Sequence, residues 1–154
     1  MPRRSPTLAH ALDNACPIIR SLGVLSDAWC FLVVREAHLG ARTFAEFRQA
    51  LGIASDVLSA RLGLLVEQGV LEKAPYQEPG QRTRDAYDLT PAGHELKTVL
   101  VALQQWGNAN IPRDPESQVE SRSKRSGGRV SAQLIDENGD VTAPTDVQFA
   151  LASA

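Results

Sequence analysis

The stretch that decides the fold is SDVLSARLGLLVEQGVLEK, which runs from Ser55 to Lys73. Leu58, Leu62 and Leu65 recur about one helical turn apart, and this spacing predicts an amphipathic helix over residues 55–68. The glycine at position 69 interrupts the helical pattern, and VLEKAPY then continues as a short strand. Because a helix here passes directly into a strand, the segment before it is a candidate partner helix and the segment after it is a candidate partner strand.

A second helix precedes this one after a very short turn. Thr43 and Glu46 form a capping-box pattern at the start of FAEFRQAL, which predicts a helix over 43–51. The three residues GIA follow, and Ser55 is expected to cap the next helix. Two helices joined by so short a turn predict a helix-turn-helix motif.

A two-stranded ribbon follows the pair of helices. The polar loop QEPGQRTRD contains Pro79-Gly80, a strong turn signal, and AYDL returns as the second strand. Together with the helix pair, a ribbon over 71–89 predicts a winged helix-turn-helix. The fold class is therefore mainly α with a small β-ribbon.

Three further helices complete the predicted domain. CPIIRSLGVL begins the first, and Asp27 caps AWCFLVVREAHL, which Gly40 ends. Thr90 caps the last helix and Pro91 takes its first position, where a missing N–H costs little. The apolar residues of this last helix recur at helical spacing: Leu96, Val99, Leu100, Leu103 and Trp106.

The sequence changes character at Pro112. PRDPESQVESRSKRSGGR is polar and predicts a linker, and strand character with an Asn138-Gly139 turn follows. The predicted organisation is an N-terminal arm (1–15), a winged-helix domain (16–110), a linker (111–129) and a β-rich C-terminal extension (130–154). An isolated hairpin is marginal in water, so the apolar side of the extension is expected to cover either the last helix near Leu103 and Trp106 or a partner subunit. That side comprises Val130, Ala132, Leu134, Val147, Phe149 and Leu151.

Composition excludes several functional classes. A net charge of −2 over 154 residues is unlike a general nucleic-acid binder, so any basic surface must be local. No apolar run reaches the roughly 18 residues of a membrane span, and two cysteines are too few for a disulfide framework. We therefore expect a cytoplasmic protein without a membrane partner, a metal site, a cofactor or a catalytic constellation.

Several of these segments also resemble a known family. TFAEFRQAL, GIASDVLSARLGLLVEQGVLEK and AYDLTPAGHEL together resemble the HxlR family of bacterial transcriptional regulators, relatives of the MarR group. The resemblance covers about residues 16–110. It implies a homodimer that binds double-stranded DNA, with one winged helix per subunit. Asp56 and Gly63 stand where members of the family often carry a basic residue.

The DNA-contacting residues follow from the way a recognition helix enters the major groove with its N-terminal residues on base edges. Those residues are Ser55, Asp56, Val57, Ser59 and Ala60. Small side chains allow a close approach, and a serine hydroxyl can bond a base or a phosphate. An alternative role for the aspartate is simply to complement the positive end of the helix dipole.

The positive charge that DNA requires must come mainly from other segments. The predicted wing offers Gln81, Arg82 and Arg84, and wing arginines can lie along the backbone or a minor groove. The helix pair adds Arg48 and Arg61, and the arm carries Arg3 and Arg4. Arg61 has an alternative role, an ion pair with a carboxylate such as Glu46 that would hold the motif together.

The resemblance also implies a dimer interface built from the first and last helices. Its predicted residues are Ile18, Ile19, Leu22, Leu96, Val99, Leu100, Leu103 and Trp106. In the HxlR family the position of Cys16, before Pro17, includes thiols that sense electrophiles or oxidants. The alternative role for Cys16 is packing as a small apolar residue, and Cys30 is expected in the core.

The sequence thus predicts a DNA-binding transcriptional regulator, most simply a repressor, that acts as a homodimer on a roughly palindromic operator. An oxidant or a small molecule is the expected class of effector. The alternative is a winged-helix protein-interaction module that has lost DNA binding, and the low charge of the recognition helix favours it. An enzyme built on Cys16 lacks a general base nearby.

Overall fold

The computed structural model describes residues 6–111, 113–114 and 119–150. Six α-helices and four short strands form two compact units, with the boundary between Leu100 and Val101. The helices are α1 (Pro6–Ala9), α2 (Pro17–Val24), α3 (Ala28–Leu39), α4 (Phe44–Leu51), α5 (Ser55–Glu67) and α6 (Pro91–Asn110). The strands are β1 (Leu71–Tyr76), β2 (Arg84–Leu89), β3 (Leu134–Ile135) and β4 (Val141–Thr142). This order confirms the predicted winged helix with β-strands in the extension.

Helix α3 forms the centre of the first unit. Asp27 caps it as predicted, because a carboxylate oxygen accepts from the backbone N–H of Cys30 at 3.1 Å. Gly40 ends it in the left-handed conformation, with φ 107°. Cys30, Val33 and Val34 are essentially inaccessible to solvent. They pack with the leucines of α5 in one core, which also confirms that Cys30 is a core residue.

The helix pair α4–α5 follows the predicted pattern with one correction. Thr43 and Glu46 form the complete capping box that starts α4. Ser55 does not cap α5, because the helix starts one residue earlier than the prediction requires. Ala54 occupies the cap position and its carbonyl accepts from the Leu58 N–H at 2.9 Å.

The ribbon packs beside the helix pair and is braced by the segment that precedes α4. Strands β1 and β2 pair antiparallel from Leu71↔Leu89 to Tyr76↔Arg84. On the other edge of β2, Thr43 bridges to Ala86, and the Tyr87 N–H donates to the Arg42 carbonyl at 2.7 Å. The base of the wing is thereby tied to the start of α4.

Helix α6 begins in direct contact with the turn between α5 and β1. The Thr90 hydroxyl accepts from the Gly93 N–H at 3.1 Å, which confirms the predicted cap, and the Thr90 N–H donates to the Val70 carbonyl at 3.1 Å. A Cβ at Gly93 would lie 2.2 Å from the Val70 carbonyl oxygen. Only a glycine therefore permits this approach.

The N-terminal segment is more ordered than the predicted loose arm. Residues Pro6–Ala9 form α1 and Ala11–Asp13 form a single 3-10 turn. Ala11 is only 4% exposed, and it lies with Leu12 close to Gly23 of α2. Arg3 and Arg4, the proposed phosphate contacts of the arm, lie outside the described residues.

The second unit combines the end of α6 with the C-terminal extension. The predicted hairpin exists but is short, with β3 and β4 paired through Ile135↔Val141 and with Gly139 at φ 89° in its turn. Val147 and Phe149 are not in a strand, because Pro144 begins a 3-10 turn and offers no N–H to extend the pairing. Leu151 lies outside the described residues.

The described part of the predicted linker is folded rather than extended, since its residues 119–129 hydrogen-bond to α6 and to each other. The extension covers α6 through Gln105, whose amide bonds to both backbone groups of Ala132 at 3.1 and 3.3 Å. Leu103 and Trp106, near which the extension was expected to dock, are still at least half exposed.

No single helix in the described part of the chain is long and apolar enough to span a membrane. Helices α2 and α3 satisfy the length and composition only as a pair, bent by 76° at their junction. Within the same residues, no group of three or more His, Cys, Asp or Glu side chains is arranged to hold a metal ion.

Candidate nucleic-acid interface

The N-terminal half of α5 presents a face of small polar and apolar side chains. Its buried side consists of Leu58, Leu62 and Leu65, each with 0% exposure. Apart from Glu67 at its C-terminal end, the residues that the fold leaves exposed on this helix are Ser55, Asp56, Ser59, Ala60 and Gly63. Four of these five belong to the predicted DNA-binding set. No bulky side chain stands in this face, so a flat or grooved partner could approach the backbone closely.

Val57 is the exception among the predicted base contacts. Its side chain is half-buried and packs against the core. Residue 57 lies about 100° from the fully buried Leu58 on the helix circumference, at the edge of the buried side, and contact with the core covers it there. Val57 therefore supports the helix more than it extends the exposed face.

Arg61 is held within the fold. Its Nε donates to Asp27 Oδ2 at 2.7 Å and a terminal guanidinium nitrogen contacts the same oxygen. The sequence suggested Glu46 as an alternative partner of Arg61, but the partner in the structure is Asp27. The carboxylate of Glu46 accepts from the backbone N–H groups of Arg42 and Thr43, at 2.8 and 2.9 Å.

One carboxylate thus serves two elements. Asp27 Oδ1 caps α3 while Oδ2 binds the arginine of α5. Burial raises the pKa of Asp27, but the hydrogen bonds from Arg61 and from the Cys30 N–H, with the charge of Arg61, outweigh burial. The pKa of Asp27 therefore lies below its ordinary value. The recognition helix is fixed on α3 by a charged contact that sequence analysis did not find.

The wing carries two exposed arginines that form no ion pair within the described part of the chain. Gln81, Arg82 and Arg84 are all exposed. The turn ahead of them is closed by the Gln81 N–H, which donates to the Glu78 carbonyl at 3.0 Å. Neither Arg82 nor Arg84 forms an ion pair with a residue that the structure describes.

Other basic residues near the ribbon are already paired. Arg42 binds both carboxylate oxygens of Asp88, at 2.6 and 2.8 Å, and Lys73 pairs with Asp85 at 3.2 Å. The Arg42–Asp88 pair was missed by sequence analysis, because 46 residues separate the partners and no local pattern links them. Arg48 of α4 is exposed and, like the two wing arginines, has no carboxylate partner among the described residues.

Cys16 sits at the N-cap position of α2 without a side-chain capping bond. It is half-buried, and its backbone N–H donates to Asn14 Oδ1 at 2.9 Å. Arg20, which could have faced the thiol, instead donates to the carbonyls of Asn14 and Ala15. Cys30 is inaccessible to solvent, so the two cysteines differ sharply in exposure.

The predicted dimer residues fall into two groups. Leu96 and Leu100 pack against the core of their own subunit, and Ile19 is half-buried. The others are large exposed apolar side chains, from 42% to 59% exposed: Ile18, Leu22, Val99, Leu103 and Trp106. Along α6 the last three recur about one turn apart, as an uncovered apolar stripe.

A cleft of about 330 Å³ lies between the end of α6 and the described linker residues. Its walls include Val101, Gln104, Asn108, Val119 and Val130, and an ion pair of Glu120 with Arg129 lies at the same site. The volume falls at the low end of the range for small-molecule sites. The cleft was not predicted, because it depends on the fold of a segment interpreted as a linker.

Comparisons with known proteins agree with this geometry. A family model of HxlR-like helix-turn-helix proteins matches residues 24–115. The HTH-type transcriptional regulator Rv3095 of Mycobacterium tuberculosis is 35% identical over 128 residues, which cover 83% of this chain and 79% of that protein. The crystal structure of PA1607, a candidate transcription factor, superposes with a TM-score of 0.78 at 36% identity, covering 90% of this chain and 96% of that one.

A third similar structure is the reduced form of the transcriptional regulator YodB from B. subtilis. It has a TM-score of 0.54 at 25% identity, and the match covers 66% of this chain and all of that one. The chain described here belongs to the HxlR-like helix-turn-helix family of transcriptional regulators.

Proposed function

We propose that the protein is a sequence-specific transcriptional repressor that binds a roughly palindromic operator as a homodimer. The observation that carries the proposal is the exposed face of α5, which is free of bulky side chains while its opposite side is fully buried. A helix of this kind can enter the major groove of B-DNA and bring its N-terminal residues to base edges.

Base contacts fall to the exposed residues at the start of α5. The hydroxyls of Ser55 and Ser59 can donate to or accept from bases and phosphates, and the Ala60 methyl group can pack on a thymine methyl. Asp56 can accept from a cytosine amino group, and it disfavours a position against phosphate. This set gives sequence preference with little electrostatic attraction.

Attraction to the phosphate backbone falls to exposed cations outside α5. Arg48, Arg82 and Arg84 have no carboxylate partner among the described residues, and Gln81 adds a polar amide at the wing. Arg61 and Val57 hold α5 in place, and in this proposal they act by positioning the helix. The small number of free cations predicts modest affinity for each subunit, so that dimerisation matters.

The proposal is tested by selecting, from a pool of random-sequence duplexes, those that the purified protein binds, and by footprinting the selected duplexes. The bound sites are expected to be two-fold symmetric. Ser59→Glu should abolish binding to the selected site while the protein stays folded, because it places a carboxylate against the groove. Thr98→Glu adds the same charge to an exposed position of α6 and should leave binding intact. Normal binding by Ser59→Glu would contradict the assignment of α5.

The wing is tested separately by salt dependence. Arg82→Ala combined with Arg84→Ala should weaken binding to every duplex and reduce the slope of log K against log salt by about 0.9 for each lost phosphate contact. Arg42→Ala is the matched control, because that arginine is paired with Asp88. An unchanged slope in the double variant would remove the wing from the interface.

Regulation by an oxidant is part of the proposal and rests on Cys16, the more exposed of the two thiols. Similarity to YodB, a regulator described in its reduced form and after treatment with diamide, supports this class of effector. Diamide should change operator affinity in the wild type and not in Cys16→Ser. An equal response in both proteins would leave the packing role as the better account.

A protein-interaction module is the second candidate function. The observation that favours it is the exposed Asp56 on a recognition helix whose one arginine is already paired. The selection experiment decides between the two functions. A protein that enriches no duplex, although it is dimeric and folded, would be assigned to protein association.

A further inference from the structure

A short basic turn lies in the second unit, outside the winged helix. We define the basic turn as residues 121–130, in which the Val130 N–H donates to the Ser121 carbonyl at 2.9 Å. Inside this closure, the Ser123 N–H donates to the Gly128 carbonyl and the Gly127 N–H donates back to Ser123, both at 2.8 Å. The turn is therefore a closed, hydrogen-bonded loop.

The basic turn is attached to α6 by side chains of that helix. The Ser121 hydroxyl donates to Gln104 Oε1 at 2.6 Å, and Asn108 donates to the Val119 carbonyl at 3.3 Å. On the far side of the turn, the amide of Gln105 bonds to both backbone groups of Ala132. Polar contacts thus hold the turn on α6 at both of its ends.

Positive charge is concentrated in this turn, although the chain as a whole has a net charge of −2. Arg122 and Arg129 stand opposite each other in a β-bridge, and both bind the carboxylate of Glu120, at 2.8 and 2.6 Å. These two arginines have a structural role. Lys124 and Arg125 are exposed and form no ion pair with any residue that the structure describes.

We infer that the basic turn is a second DNA-binding element, in which Lys124 and Arg125 bind the phosphate backbone of a duplex. The inference rests on the proposed function and adds to it a contact outside the winged helix. Lysine offers a point charge and arginine a planar fork, and both suit phosphate oxygens. The loop that carries them is already ordered by its own bonds, so binding requires little further ordering of the backbone.

The electrostatics of the winged helix give a reason for such an element. Its exposed recognition face carries Asp56 and no cation. Among the described residues of the winged helix, the exposed cations without a carboxylate partner are few, and those near the helix pair and the wing are Arg48, Arg82 and Arg84. Two further cations on each subunit would add sequence-independent affinity, because each phosphate contact releases bound counterions. The turn would strengthen binding without changing which bases are preferred.

The test measures how the full-length protein binds a random-sequence duplex of about 40 base pairs at several salt concentrations. Lys124→Gln combined with Arg125→Gln should weaken binding and reduce the slope of log K against log salt by about 0.9 for each lost contact. Lys124→Arg combined with Arg125→Lys retains both charges and should keep the wild-type slope. Circular dichroism and the melting temperature of each variant show whether the fold is intact.

The outcomes separate the inference from the proposed function. A reduced slope in the glutamine variant alone supports the inference, whatever the wing variant does. A wild-type slope in that variant, combined with a reduced slope for Arg82→Ala plus Arg84→Ala, overturns the inference and leaves the winged-helix function in place. A wild-type protein that binds neither this duplex nor any duplex in the selection experiment overturns both.

Discussion

Asp27 and Arg61 join the start of α3 to the recognition helix through one carboxylate, which caps α3 with one oxygen and binds the guanidinium with the other. The two residues are 34 positions apart, and both side chains are about one-third exposed or less. The contact orients the helix that is proposed to read DNA. It therefore links the stability of the domain to the geometry of its interface.

Substitutions at Asp27 should separate the two roles of the carboxylate. Asp27→Asn keeps a good capping side chain and loses only the ion pair, so we expect a loss of about 1 kcal/mol of unfolding free energy. Asp27→Ala also loses the cap and should cost about 1 kcal/mol more. Urea unfolding measures the free energy of unfolding of both variants. Asp85→Ala is the control, because it breaks only the exposed pair with Lys73 and should change that free energy by less than ~0.5 kcal/mol.

The same residue predicts a pH dependence. Because the pKa of Asp27 is lower in the folded state than its ordinary value of 3.8, the ionised carboxylate favours folding above that value. This stability should be lost as the pH falls through the lower, folded-state pKa. Unfolding free energies measured from pH 6 down to pH 2 should fall less steeply for Asp27→Asn than for the wild type, and parallel curves would contradict the assignment.

Two glycines of α6 should respond oppositely to the same substitution. Gly93→Ala places a Cβ against the Val70 carbonyl oxygen and should destabilise the domain by about 1–3 kcal/mol. Gly107→Ala meets no neighbouring atom within 4 Å and should stabilise the helix by up to ~1 kcal/mol. Thermal melts of the two variants test this, and equal shifts would show that α6 does not start as described.

The apolar stripe of α6 should control the oligomeric state. Leu103→Glu places a charge in a stripe that is half exposed in the single chain, so the subunit should fold while the proposed dimer dissociates. Lys97→Glu introduces the same side chain about one-third of a turn away on the helix circumference and should remain dimeric. Sedimentation equilibrium distinguishes the two, and a dimeric Leu103→Glu would exclude this stripe from the interface.

The two cysteines should react at different rates. Iodoacetamide should modify Cys16 in the native protein, because its side chain at the start of α2 is partly exposed to solvent. Cys30 is inaccessible and should react only after unfolding. Mass spectrometry of peptides after a timed reaction measures both rates. Similar rates in the native state would contradict the placement of Cys30 in the core.

Sequence analysis predicted the features that depend on neighbours a few residues apart. The capping box at Thr43, the left-handed Gly40 and the Thr90 cap each act within one turn of helix, so their residue types and spacing were sufficient. The amphipathic period of α5 also predicted which residues form its exposed face. It did not predict that Val57 packs against the core, because a residue at the edge of the stripe is placed by its neighbours in space.

The contacts that were missed join residues far apart in the chain. The partner of Arg61 could not be chosen from the sequence, since Glu46 and Asp27 both follow a helix-cap pattern and only the packing of α3 on α5 selects one. The alternation at Val147 and Phe149 predicted a strand, but the structure has none there. A strand forms only where a neighbouring segment offers free N–H and C=O groups, and the sequence pattern does not reveal whether such a neighbour exists. The hydrogen bonds of residues 119–132 to α6 join residues 11 to 27 positions apart, and no local sequence pattern indicates them.

The junction at Thr90 has a consequence for how a signal could reach DNA. Its backbone N–H and its hydroxyl both donate to the carbonyl of Val70, the residue before β1, and the same hydroxyl caps α6. The base of the ribbon and the beginning of α6 therefore share one set of hydrogen bonds. A displacement of the start of α6 would therefore also move the base of the ribbon, to which it is bonded. In the proposed dimer built on α6, such a displacement would change the distance between the two recognition helices, and half-sites one helical turn apart in B-DNA are separated by about 34 Å.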